Sequence, residues 1–76
     1  MKAAYFDMIE YFCNSHDDVA VDVIQYDCSD KEIFRKTFSW STECGEVTSD
    51  GIWKQAKNYA DKLMQDGIKL RNERRI

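Results

Sequence analysis

Apolar positions recur with two different periods along this chain, and each period predicts a different element. In "AAYFDMIEYFCNSHDD", Tyr5, Met8, Ile9, Phe12 and Cys13 fall at i, i+3, i+4, i+7 and i+8. That spacing predicts an N-terminal helix, ending near Asn14-Ser15 where Asn takes the left-handed cap. Phe6 and Tyr11 lie off the stripe. The next run, "VAVDVIQYD", sets Val19, Val21 and Val23 in alternation with polar or small residues and predicts a strand. After the turn "CSDKE", the run "IFRKTFSWST" alternates Phe34, Phe38 and Trp40 against Arg35, Thr37, Ser39 and Ser41. It predicts the second strand of an antiparallel hairpin with one face on the core. Lys36 interrupts the apolar side, which suits an edge strand protected against sheet extension. "ECGEVTS" predicts a short third strand around Glu46–Thr48, with Gly45 in a tight turn.

"SDGIWKQAKNYADKLMQDGIKL" has the marks of a complete helix. Ser49 or Asp50 caps its start, and Ile52, Ala56, Tyr59, Ala60, Leu63 and Met64 make one stripe. With Asp66 as C-cap, Gly67 falls at C′ and Ile68 at C″, placed to pack on Leu63. That is the residue pattern of a Schellman ending. The tail "KLRNERRI" continues as a second short helix or an extended arm that packs on the body. The expected fold is α+β and two-layered, in the order α-β-β-(β)-α: a small antiparallel sheet covered by two helices on one face. The expected core is Val19, Val21, Val23, Phe34, Phe38, Ile52, Ala56, Tyr59, Leu63 and the stripe of the first helix.

Length changes the picture by limiting it. Seventy-six residues make a single domain, 1–76, with residues 66–76 as a basic C-terminal tail. So short a chain buries only about 60–65% of its unfolded surface and has a stability on the order of 5 kcal/mol. No apolar run approaches a membrane span, and the acidic N-terminal segment lacks a signal-peptide layout, so the chain is expected in the cytoplasm and off the membrane. Cys13, Cys28 and Cys44 are odd in number and widely spaced. A disulfide framework is not expected, and buried reduced thiols are the default.

Candidate chemistry is sparse. The lone histidine, His16, has no triad pattern around it, and no G-x-S-x-G, H-E-x-x-H or P-loop motif occurs. No enzyme activity and no cofactor are expected. Cys13 and His16, three apart on one predicted helix face, could join Cys28 and Cys44 in a Cys3His set. Zinc modules bring ligands in tight pairs, however, and each thiol also fits an ordinary core or strand-end place, so no metal is expected.

Charge is unevenly distributed within a total of −3. Residues 1–50 hold four Lys/Arg against eleven Asp/Glu, and residues 51–76 hold seven against three. Lys54, Lys57, Arg71, Arg74 and Arg75 are therefore candidates for nucleic-acid contact. The order helix, strands, helix resembles the double-stranded-RNA-binding domain, and "KQAKNYADKL" is similar to the lysine-bearing start of that family's last helix. The resemblance implies lysines that meet phosphates across the major groove. The plainer reading is that these lysines solvate an outer face.

The acidic set Asp17, Asp18, Asp22, Asp27, Asp30 and Glu32, with the off-stripe aromatics Phe6, Tyr11 and Trp53, points instead to a protein partner with a basic surface. Size and charge are similar to those of small inhibitors made by phages and mobile elements, such as anti-CRISPR or anti-restriction proteins. The expected function is a stand-alone binding module. Nucleic-acid binding through the basic end is the second reading, and a homo-oligomer burying a strand edge or surplus aromatics is the third.

Overall fold

The computed structural model describes residues 3–13, 18–39 and 49–75. Strands β1 (Tyr5–Cys13), β2 (Asp18–Tyr26) and β3 (Glu32–Ser39) precede helix α1 (Ser49–Gln65) and strand β4 (Lys69–Arg74). They form one sheet in the order β3-β2-β1-β4. β1–β2 and β2–β3 are antiparallel, and β4 lies parallel to β1. α1 covers one face of this sheet and delivers β4 to the edge opposite β3.

The expected N-terminal helix is a strand. Apolar residues fill most of Tyr5–Cys13, interrupted only by Asp7 and Glu10, so a helical stripe can be drawn through a segment that folds with period two. A central strand is apolar on both faces and reads as a near-continuous run, which periodicity alone does not separate from a helix. The aromatic-rich composition fits a strand better. The two-helix layer is accordingly replaced by one helix, and the order β-β-β-α-β is not that of the double-stranded-RNA-binding domain. The third strand expected around Glu46–Thr48 and Trp40 lie outside the described residues.

The core follows from the register. Met8 stands opposite Val23, and Val21 stands opposite Phe38, so Phe6, Met8, Val21, Val23 and Phe38 share the helix-facing side. They pack with Ile52, Ala56, Ala60, Leu63 and Ile68 of α1 and its exit, and with Ala3. Phe6 and Met8 are wholly buried. Each side chain of this size contributes on the order of 2 kcal/mol by leaving water. Phe12 (68% exposed) and Phe34 (51%) are not core residues, contrary to expectation. Val19 and Tyr59 are half-buried, and Tyr5 and Ile9 point to the other face. β3 is an edge strand, as Lys36 suggests, and the Lys36 ammonium lies 5.3 Å from the Phe38 ring centre and 5.9 Å from that of Tyr59.

α1 ends as its sequence predicts. The Gly67 amide donates to the Met64 carbonyl at 3.1 Å, and the Ile68 amide to the Leu63 carbonyl at 3.0 Å. Gly67 has φ +88°, and Ile68 is buried against the core. These are the two bonds and the apolar contact of the Schellman motif. Of the two expectations for the tail, the structure shows the extended one: Lys69–Arg74 is a strand of the sheet, packed along β1. At Gly67 an added Cβ would meet nothing within 4 Å. The cost of Gly67→Ala is therefore backbone strain alone, and urea unfolding should show a loss of about 1–2 kcal/mol, with Gly67→Asn losing less.

Candidate interaction face and its arginine clamps

Among the described residues, no helix or strand lies over the second face of the sheet. Alternation and register place Tyr5, Asp7, Ile9 and Tyr11 of β1 there, with Ala20, Asp22, Ile24 and Tyr26 of β2 and Arg35, Thr37 and Ser39 of β3. Two carboxylates, Asp7 (5% exposed) and Asp22 (7%), are buried at its middle. A buried carboxylate is tolerated only when paired and hydrogen-bonded, and each is.

Asp7 is met from β4. The β1–β4 register slips between Phe6 and Asp7: Leu70 pairs with Phe6, and Asn72 pairs with Asp7. Arg71 is the extra residue of this bulge. In a regular strand, Arg71 and Asn72 would point to opposite faces; the bulge lets both reach one carboxylate. Arg71 donates to Asp7 from Nε at 3.1 Å and from Nη2 at 3.0 Å, and Asn72 Nδ2 donates at 3.2 Å. The remaining arm, Nη1, donates to Asp30 Oδ1 at 2.7 Å. Tyr5 OH donates to the same Asp30 oxygen. The guanidinium carbon is 4.5 Å from the ring centres of both Tyr5 and Tyr26. One planar cation thus binds two acids and lies within cation–π distance of two rings.

Asp22 has a parallel arrangement. Its Oδ1 accepts from Thr37 Oγ1 at 2.7 Å and from Tyr11 OH at 3.2 Å, and its Oδ2 accepts from Arg35 Nη1 at 3.2 Å. Arg35 also reaches Glu32 from Nη2 at 3.0 Å. Hydrogen bonds to these acids hold both guanidiniums, Arg35 and Arg71, above the ordinary arginine value. Burial raises the Tyr26 phenol, the Asp7 charge raises it further, and Arg71 partly offsets the rise. The buried Asp27 closes the β2–β3 turn, accepting from the Ser29 and Lys31 amides at 2.8 and 3.0 Å.

A second clamp faces the helix. Glu10, 4% exposed, has an Oε2 that accepts no hydrogen bond among the described residues. Arg75 Nε stands 3.4 Å from it. Arg75 also pairs with Asp50 in the first turn of α1, and its guanidinium carbon lies 5.1 Å from the Trp53 ring centre.

The predicted site residues are redistributed by this geometry. Phe6 is a core residue and has no surface to offer a partner, because the period-two phase turns it inward. Asp22 and Asp27 are buried and bonded internally, so they are not part of an exposed acidic field. Asp30 and Glu32 are exposed, with side chains 68% and 45% accessible. Tyr11 is 37% exposed, and half-buried Trp53 is shared with Arg75. Asp18 begins β2, and Asp17 lies outside the described residues. Among the basic candidates, Lys57 pairs with Glu73 at 3.0 Å, and Arg71 and Arg75 are the clamps. Lys54 and Arg74 are exposed, with no ion pair among the described residues. Cys28 is a free, exposed thiol rather than a buried one. Cys13 ends β1, while His16 and Cys44 lie outside the described residues. Among the described residues, no group of three His, Cys, Asp or Glu could hold a metal ion, and no helix is long and apolar enough to cross a membrane.

Sequence reasoning missed Asp7, Tyr5, Tyr26 and Arg35. The available signal was a pair of acids inside an apolar run and two arginines four apart at the far end of the chain. Comparison with protein-family models, curated proteins and solved structures gives no match.

Removing Arg71 leaves Asp7 buried without its cation. Breaking a fully buried pair is strongly destabilising; with Arg71 partly in solvent the loss is smaller, and Arg71→Gln should lower the urea midpoint. Asp7→Asn added to Arg71→Gln should recover part of that loss, whereas simple additivity would contradict the pairing. A second expectation concerns pH. Tyr26 has its folded value raised above the unfolded one, so its stabilisation is whole below the ordinary tyrosine value and declines as pH rises through the folded value. Tyr26→Phe should flatten that alkaline decline in urea midpoints.

Proposed function

We propose that this protein is a non-catalytic binding module that seats the sheet face away from α1 on a protein partner with a basic surface. The observation that carries this reading is the face itself. Tyr5, Tyr11, Tyr26, Arg35 and Arg71 surround Ile9 and Ile24, with no described element above them. Tyrosine and arginine are the residue types most often found as anchors at protein interfaces. Arg71 is shared between Asp7 and Asp30, and Arg35 between Asp22 and Glu32, so each cluster holds two carboxylates for one guanidinium. Asp30 and Glu32 are the members that reach solvent. These exposed carboxylates complement cations, while β4 adds Lys69 beside Tyr5 and Arg74 beside Ile9 at the edge of the face.

The reading extends to an inhibitor that covers the working surface of a nucleic-acid-handling protein, of the kind phages and mobile elements make. Size and a net charge of −3 support that extension. The exposed free thiol of Cys28 fits a reducing, cytoplasmic setting. Direct RNA or DNA binding through the basic end is the weaker reading, because Lys57, Arg71 and Arg75 are engaged within the fold.

Paired capture from lysate of the encoding cells tests the face. Tyr11→Ala with Arg35→Ala should lose whatever protein the unaltered chain retains. Lys54→Ala with Asp61→Ala, on the outer side of α1, should keep it. Equal retention by both variants, or loss with the α1 pair alone, contradicts the proposal. So does a salt-dependent shift of a nucleic-acid duplex by the unaltered chain that vanishes with Lys54→Ala and Arg74→Ala.

A further inference from the structure

β4 is fastened differently from every other element. Its side chains are exposed apart from half-buried Leu70. It is held by the backbone ladder to β1, by Arg71 within it and Arg75 one residue beyond it, and by lesser attachments: Leu70 on the core, Asn72 on Asp7 and Glu73 on Lys57. The groups that receive these arginines all precede Gly67 in the chain. They are Tyr5, Asp7, Tyr26 and Asp30 for Arg71, and Glu10, Asp50 and Trp53 for Arg75. Everything up to the end of α1 is therefore a complete receptor for an extended segment with arginines four residues apart. Charge sorts the same way: residues 67–76 hold four Lys/Arg against one Glu, and the preceding 66 hold seven against thirteen Asp/Glu.

We propose that this receptor also accepts β4 from a second copy of the chain, forming a strand-exchanged dimer in which each β4 lies on the other protomer's β1. Exchange preserves the ladder, the bulge and both clamps in every subunit. Only the corner Asp66-Gly67-Ile68 changes its path, at the expense of the two Schellman bonds and of the present seat of Ile68 in the core. Gly67 adopts a new backbone conformation there with little steric cost. Domain swapping needs such a hinge and an element whose contacts are the same in cis and in trans. A foreign segment would have to reproduce the arginine spacing and the bulge, and a second copy carries both by identity.

Charge reversal provides the test. Asp7→Arg and Arg71→Asp each disable the clamp within one chain; the doubly substituted chain, with Asp30→Asn in every variant to remove the acid that would face position 71, restores the 7–71 pair with reversed polarity. In an exchanged pair made from the two single variants, both clamps are restored, each between subunits. Mixing the single variants should give heterodimer in about tenfold or greater excess over either homodimer by native mass spectrometry, with a higher Tm than either alone. If the single variants do not fold, mixing should rescue their circular dichroism. A doubly substituted chain that regains stability while the mixture stays monomeric or unfolded would overturn the proposal. Failure of the doubly substituted chain to regain stability would overturn it as well, by removing the clamp on which exchange depends.

Discussion

A central strand that carries a carboxylate into each face of its sheet requires cations to meet them, and here both come from one short stretch near the C-terminal end. β1 buries Asp7 on one side and Glu10 on the other. Arg71 answers the first and Arg75 the second. An uncompensated buried carboxylate costs several kcal/mol, comparable to the whole stability of a domain this small. β1 can therefore be a central strand only while β4 is beside it. The parallel placement of β4, its bulge and the Schellman corner that aims it all serve that pairing.

The same constraint shapes the surface. Because β4 contributes arginines instead of apolar residues, the sheet face away from α1 is a lattice of acids, guanidiniums and phenols around Ile9 and Ile24. It is satisfied internally and still presents Tyr11, Arg35, Asp30 and Glu32 outward. Its rings and guanidiniums are held by hydrogen bonds before any partner arrives, so little ordering remains to be done on binding. The helix side has this character only at Glu10 and Arg75: elsewhere the sheet is closed by Ile52, Ala56, Ala60 and Leu63, and the exposed face of α1 mixes Asp61, Lys54 and Lys62.

What was legible in the sequence was what local chemistry decides. α1, its Gly67 ending, the β2–β3 hairpin and the edge position of Lys36 follow from spacing, turn residues and caps within a few positions of each other. β1 was misread because a strand apolar on both faces offers no period to detect. β4 was not singled out as a strand because "KLRNER" carries almost no apolar signal: its strand state is imposed by β1 across more than sixty residues. The acidic field expected from composition is partly interior, and the basic end expected to meet phosphate is partly engaged with it. Charges counted along a chain do not reveal which of them meet in the fold.

The central claim is that β4 is held chiefly by a ladder and two arginine clamps, with Leu70 alone of its side chains against the hydrophobic core. Native-state hydrogen exchange, read amide by amide at low and high salt, tests it most directly. The account predicts that amides joining β1 to β4 exchange through an opening of lower free energy than those joining β1 to β2, with salt widening the gap by screening the partly exposed arginines. Equal opening free energies for the two sets, unmoved by salt, would contradict it.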